Sequence, residues 1–317
     1  MIDREIPLTA SGQCGKFGME QRNAGICAEE GASGRSEPLS CGPCRRPSDH
    51  SLPGDRVMDI RPLHSLFAVE VTGLDLGGPV DAATLEVLYD LFLEHAVLLF
   101  RGQSLTVSAQ ADFGRRLAAL EAPLLARGSQ LPPALRVMSE PRPGAAPSSA
   151  AWHADKTHDA EPALACIVHS LAAAPVASSI GFADQRAALA LLPPGLRRRA
   201  EELRAEHRHS SRMAEHPVVR SHPVTGEAAL FVNPAFTSRI LNLPEAESDR
   251  LLVIMFAAAT AASVSWQHDW QPGDLLLWDN RAVLHTGASS AVLQRIRIEG
   301  DRPTGTHALD MPWVMAG

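Results

Sequence analysis

Apolar and polar residues along this chain change their period several times, and each change marks an element. Phe67, Val69 and Val71 alternate with Ala68, Glu70 and Thr72 before Gly73, the two-residue period of a strand with one buried face. Asp81 stands where a helix N-cap belongs, and Leu85, Leu88 and Phe92 recur at three and four residues, which predicts a helix over 82–95. Residues 97–100 form a short apolar run closed by Arg101-Gly102, and 107–120 reads as a second helix after Ser104 or Thr106. Residues 131–151 are heavy in Pro, Ala and Ser and read as a long loop or lid. Farther on, His222-Pro223-Val224-Thr225-Gly226 is a turn before a strand-like 229–233, and 245–261 reads as a buried or amphipathic helix. Gln271-Pro272-Gly273-Asp274 is another turn, leading into a strand over 275–279. Strands stand on both sides of helices without a regular βαβ alternation. The expected fold is therefore α+β, an antiparallel double-sheet barrel with helices outside.

Composition divides the chain of 317 residues in two. Residues 1–57 are rich in Gly, Ser, Pro and charge and have no sustained period, so a disordered leader is expected there, with the ordered domain over 58–317. Met58 opens the ordered pattern and could itself serve as a translation start. Four of the five cysteines lie in that leader; Cys41 and Cys44 have the spacing of half a zinc site, but a lone pair in such a stretch reads as incidental. Without a secretion signal, a cytoplasmic protein with reduced thiols is expected. The longest apolar stretch, 251–266, is broken by Thr260, Ser263 and Ser265 and falls short of the roughly 20 residues of a bilayer span. It reads as a buried helix running into a strand, so no membrane partner is expected. A net charge of -7 argues against a nucleic-acid partner, and homo-oligomerisation is left open.

Several chemistries are excluded by missing motifs. There is no GxxxxGK[ST] loop, no GxGxxG after a strand, no GxSxG elbow and no HExxH. Arg197, Arg198 and Arg199 share their stretch with Glu201, Glu202 and Glu206 and read as a solvated face. Thirteen histidines remain. His153 and Asp155 are two apart, so in an extended segment both project from one face. His285, beyond the strand at 275–279, is the best third candidate. Two His and one carboxylate on one side of a metal leave positions open, as in non-haem Fe(II) oxygenases. His207 and His209 have the same spacing but read as solvated residues at a helix end, and His95 and His169 read as core or cap residues.

Four spaced motifs, in order, resemble the TauD/TfdA (taurine dioxygenase) family over about residues 58–305. They are Trp152-His153-Ala154-Asp155, the stretch from His216 to Pro223 (HPVVRSHP), Leu230-Phe231-Val232-Asn233, and Trp278-Asp279-Asn280-Arg281 through His285. Val71-Thr72-Gly73-Leu74-Asp75-Leu76 and Gly300-Asp301-Arg302-Pro303 add to them. The resemblance implies a double-stranded β-helix (jelly-roll) core flanked by helices, with His153, Asp155 and His285 as Fe(II) ligands. It implies 2-oxoglutarate and O2 as co-substrates, succinate and CO2 as products, and hydroxylation of a small organic molecule. Where the family usually has a Thr reaching 2-oxoglutarate this chain has Ile180, and where it has the carboxylate-binding Arg it has Ala291. Arg295, on a second family Arg, is expected to take over that carboxylate, while Arg297 reads as a surface arginine. Ala122 and Leu125 replace the His and Tyr that grip a sulfonate, so a substrate less polar than taurine is expected, facing Leu125 and Phe236. A zinc hydrolase on the same ligands lacks an added general base. The remaining alternative is a family member with impaired 2-oxoglutarate binding that serves as a non-catalytic binding protein.

Overall fold

The computed structural model describes residues 58–125, 135–138, 151–172, 178–287 and 292–306, with backbone alone at 122–125 and 135–138. The leader, Cys41, Cys44 and Ala291 lie outside the described residues, as does most of 131–151. In chain order the elements are β1 (Asp59–Pro62), β2 (Val69–Thr72), α1 (Ala82–His95), β3 (Val97–Phe100), α2 (Val107–Leu125), β4 (Leu135–Met138) and β5 (Ala163–Ser170). They continue as β6 (Ser179–Asp184), α3 (Gln185–Leu191), α4 (Pro194–Glu201), β7 (Arg204–His209), β8 (Arg212–Pro217), β9 (Val219–Ser221), β10 (Ala228–Leu230) and β11 (Thr237–Ile240). Last come α5 (Glu245–Ala259), β12 (Ser265–Asp269), β13 (Leu275–Asp279), β14 (Val283–Thr286), β15 (Leu293–Glu299) and β16 (Thr304–Gly305).

Seven strands form one large sheet in the order β1-β2-β3-β13-β5-β15-β4, and three form a smaller one in the order β12-β6-β14. His153 pairs with His285 beside β14 and supplies a fourth row to the smaller sheet. Every pairing in these sheets is antiparallel except β2 with β3. The expected double sheet with outer helices is what forms, and the period of two decides which side chain goes where. Leu98 and Phe100, Ala165 and Ile167, Leu275 and Leu277, Ile296 and Ile298 turn to α1 and α2, packing on Leu85, Leu88, Phe92, Phe113 and Leu117. The alternate positions, Val97 and Leu99, Cys166 and Val168, Leu276 and Trp278, face Phe182 and Val283 of the smaller sheet. Behind that sheet, Leu284 joins Leu189 of α3 and Leu251, Leu252 and Met255 of α5.

Local signals explain the predicted elements. Asp81 accepts the N–H of Thr84 at 2.8 Å and so caps α1. The apolar stretch at 251–266 is indeed a helix running through a 3-10 turn into β12. Four expectations need correction. The stretch read as a loop contains β4, which pairs with β15 at the edge of the large sheet, where backbone hydrogen bonds suffice without a strong side-chain pattern. The second helix continues to Leu125. Phe67 is buried but precedes its strand, because Ala68 adopts a left-handed backbone at φ 65°. His207 and His209 lie on β7 and not at a helix end; His209 is exposed, whereas His207 is fully buried against His216 and Phe231. The Arg197 to Arg199 run is exposed on α4, as the charge pattern predicts.

Candidate metal centre

The extended backbone at His153 exchanges both hydrogen bonds with His285, at 2.9 and 2.8 Å, so the two imidazoles start directly opposite one another. Their ring centroids are 4.3 Å apart. Ala154 turns the other way, into the core behind the smaller sheet, which leaves His153 and Asp155 on the same side. Nε2 of His153 lies 3.9 Å and Nε2 of His285 3.8 Å from the same oxygen, Oδ1 of Asp155. All three side chains are buried and their ligand atoms lie within 4.8 Å of one another.

Protonation is set by what each group touches. The Nδ1 of His153 faces the carbonyl of Ala151 at 2.9 Å, so Nδ1 donates and Nε2 keeps its lone pair for the centre. Burial lowers the pKa of His153, and burial together with neighbouring His153 lowers that of His285 further, so both are neutral imidazoles. Among the described residues neither ring nitrogen of His285 has a hydrogen-bond partner, and a metal on Nε2 would satisfy that one of the two. Burial alone would raise the Asp155 carboxyl; Arg295, Arg297 and the Cys166 hydrogen bond outweigh it and hold the group well below the usual range. Arg295 bonds Asp155 Oδ2 and lies over the Trp278 ring, 5.7 Å from its centroid. Arg297 places Nε 3.7 Å from the same Oδ2. The surface reading of Arg297 is thus wrong: the parity of β15 sends Ile296 and Ile298 to the helices and both arginines into the sandwich.

The spaced motifs of the sequence mostly brace this centre. Asn280 Oδ1 accepts the backbone N–H of Asp155 at 3.3 Å and the Trp278 indole N–H at 3.2 Å. Asp279 accepts from Arg281 at 2.7 and 2.9 Å, and Arg281 donates to both oxygens of Glu121 at 2.7 and 2.8 Å. His222 accepts two backbone N–H groups at Nδ1, so its Nε2 carries the proton that it donates to Asp279 at 3.1 Å. His216 Nε2 donates to the carbonyls of Thr157 and Asp159, at 2.9 and 3.0 Å, fixing the turn that follows Asp155. Arg220 pairs with Asp301 through both carboxylate oxygens at 2.9 and 3.0 Å. Gly287, just past His285, has φ 145° and approaches β6 so closely that a Cβ would lie 2.4 Å from the Ser179 carbonyl oxygen.

Of the remaining expected site residues, Phe236 is at the centre: its ring meets that of His153 edge-on at 5.7 Å, held by Asn233, which accepts the Phe236 N–H at 2.9 Å. Leu125 ends α2, and its side chain lies outside the described residues. Ile180 is partly buried and packs against the inner cluster to which Phe182 and Trp278 belong. Sequence reasoning missed four neighbours. Cys166 touches Asp155, Arg297 lies beside it, and His158 and His209 meet Phe236 edge-on at centroid distances of 5.1 and 5.3 Å. The L-Q-R-I-R-I-E alternation of β15 was a readable signal for Arg297; Cys166 sits in a strand buried on both faces and left none.

A jelly-roll sandwich with two imidazoles and one carboxylate at its inner face defines a mononuclear metalloenzyme with an open metal face. Residues 59–296 match the family model for the taurine catabolism dioxygenase TauD, TfdA family. An (S)-phenoxypropionate/alpha-ketoglutarate-dioxygenase of Sphingobium herbicidovorans is 32% identical over 280 residues, covering 78% of this chain and 97% of that protein. An alpha-ketoglutarate-dependent 2,4-dichlorophenoxyacetate dioxygenase of Cupriavidus pinatubonensis is 30% identical over 261 residues, 71% of this chain and 90% of the relative. The crystal structure of a taurine dioxygenase from Burkholderia xenovorans superposes with a TM-score of 0.68 at 28% identity, covering 78% of this chain and 93% of that one. The chain belongs to the TauD/TfdA family and is an Fe(II)- and 2-oxoglutarate-dependent dioxygenase (2-oxoglutarate being alpha-ketoglutarate). The catalytic reading therefore stands over the binding-protein alternative. No helix among the described residues is long and apolar enough to cross a membrane.

Proposed function

We propose that His153 Nε2, Asp155 Oδ1 and His285 Nε2 hold the Fe(II), that Arg295 faces the carboxylate of 2-oxoglutarate, and that Phe236 and Leu125 face the substrate. Two imidazole nitrogens converging on one carboxylate oxygen are the observation that carries this reading. When bound, the iron and its co-substrate supply O2 activation coupled to oxidative decarboxylation, which gives succinate and CO2. The chain's own part is to orient and to exclude water. His153 and His285 are pinned by their paired backbones, Asp155 by Asn280, and the apolar wall of Trp278, Phe182 and Ile180 keeps the interior dry. A guanidinium in such surroundings attracts a carboxylate more strongly than it would in water.

The substrate on this reading is a small organic acid with an apolar, preferably aromatic, body. Phe236 offers a ring edge next to the metal ligands, and relatives at 30% and 32% identity carry the names of aryloxyalkanoate dioxygenases. The enzyme would occupy residues 58–317 and act in the cytoplasm, where the buried free thiol of Cys166 stays reduced, with no nucleic-acid or membrane partner. Succinate release, measured with Fe(II), 2-oxoglutarate and O2, tests the substrate class. (S)-2-phenoxypropionate or 2,4-dichlorophenoxyacetate should raise it above the substrate-free rate and taurine should not; a preference for taurine, or no response to either aryloxy acid, would reject the class.

A further inference from the structure

The two oxygens of Asp155 have unequal surroundings. Oδ1 looks toward His153 and His285, while Oδ2 accepts the S–H of Cys166 at 2.8 Å and is flanked by Arg295 and by Arg297 at 3.7 Å. Cys166 is fully buried in the middle of β5, with Trp278 across from it on β13 and Arg297 across from it on β15. Its sulfur is itself engaged: Arg295 reaches it at 3.4 Å and Asn280 Nδ2 at 3.7 Å. Those donors use the sulfur lone pairs, so the thiol hydrogen is left to point at Oδ2.

We propose that Cys166 is a positioning residue which, by donating to Oδ2, holds Asp155 to one-oxygen coordination and presents Oδ1 alone to the metal. This rests on the ligand assignment made above. A carboxylate can bind a metal through one oxygen or both. A second bond from Asp155 would occupy a position that the open face must keep for reactants. Of the three groups at Oδ2, Arg295 is the one proposed to serve a co-substrate carboxylate, and Arg297 stands beyond hydrogen-bond distance. The thiol has no competing task and is buried within β5, so it holds the carboxylate whether or not Arg295 swings away.

Co(II) binding to the full chain, without 2-oxoglutarate, reads this directly through affinity and visible d–d absorption. Cys166→Val keeps the volume and removes the donor; it should change the d–d bands as Oδ2 becomes free to bind, and shift Co(II) affinity by about 10-fold or more, the scale on which partners of a ligating group act. Cys166→Ser, which keeps a donor, should stay within about threefold of the parent and retain its bands. A folded Cys166→Val with parental affinity and spectrum would overturn the proposal. So would a Cys166→Ser variant as altered as Cys166→Val, since the donor would then not be what matters. If Cys166→Val does not fold, Cys166→Ala takes its place with the same two expectations. Failure of the parent protein itself to bind Co(II) would instead overturn the ligand assignment.

Discussion

Arg295 and Arg297 are separated by one residue on β15; Arg295 bonds the oxygen of Asp155 that faces away from the histidines, and Arg297 stands 3.7 Å from it. Their charge is what allows a buried carboxylate to stay ionised, and it also sets how co-substrate should be held. Charge-assisted hydrogen bonds contribute about 1.5–3 kcal/mol, so Arg295→Ala should weaken N-oxalylglycine binding to the Mn(II)-loaded protein by at least about tenfold. Titration calorimetry would show it, and unchanged affinity would move the anchoring role elsewhere. Ile180→Thr supplies a hydroxyl between the sheets and should tighten the same analogue severalfold, by about 0.5–1.5 kcal/mol for one hydrogen bond. That His153, Asp155, His285, Arg295 and Phe236 come together was legible because spacing and motif order survive in one dimension. Cys166 was not: its contact with Asp155 depends on the register of β5, and nothing in an all-buried run of eight residues signals which member faces that carboxylate.

The elements divide the labour between core and brace. Alternation predicted the strands that have a helix side and an inner side, and capping predicted α1; both are local signals. The four-residue β4 escaped because an edge strand held by backbone pairing needs little pattern of its own. His207 was misjudged for a related reason, since its β7 segment is rich in charge and it is the neighbouring β8 and β11, with His216 and Phe231, that bury it. Arg281 shows what the brace between elements is worth. It joins α2 to the turn between β13 and β14 through Glu121 and Asp279, and burial opposes its charge less than those two carboxylates favour it. Arg281→Met leaves Glu121 and Asp279 without their cation and should cost about 3–5 kcal/mol of stability, the range for breaking a buried pair from one side. Adding Glu121→Gln to that variant should recover part of the loss. Denaturant unfolding measures both; a loss within 1 kcal/mol would mean that the bridge is only incidental.

At the scale of the whole molecule, several buried histidines must remain neutral for the sandwich to hold. Burial pushes His216 down to about 4, and His207 and His285 are lowered as well, against an unfolded value near 6.5. A depressed folded pKa means that the unfolded chain takes up protons first, so the stability these groups contribute is complete above about pH 6.5 and is lost as pH falls toward 4. For His216 alone the loss amounts to about 3 kcal/mol at full protonation. Melting midpoints between pH 8 and 4.5 should fall along that limb, and His216→Gln should flatten it; a curve unaltered by that substitution would contradict the assignment. The three-dimensional convergence of His153, Asp155 and His285 is tested most directly by anaerobic addition of Fe(II) and then 2-oxoglutarate. One iron per chain should bind, a visible charge-transfer band should follow the co-substrate, and both should vanish in Asp155→Ala. Iron bound at full affinity in Asp155→Ala, or a parent protein that binds iron and gives no band, would contradict the account.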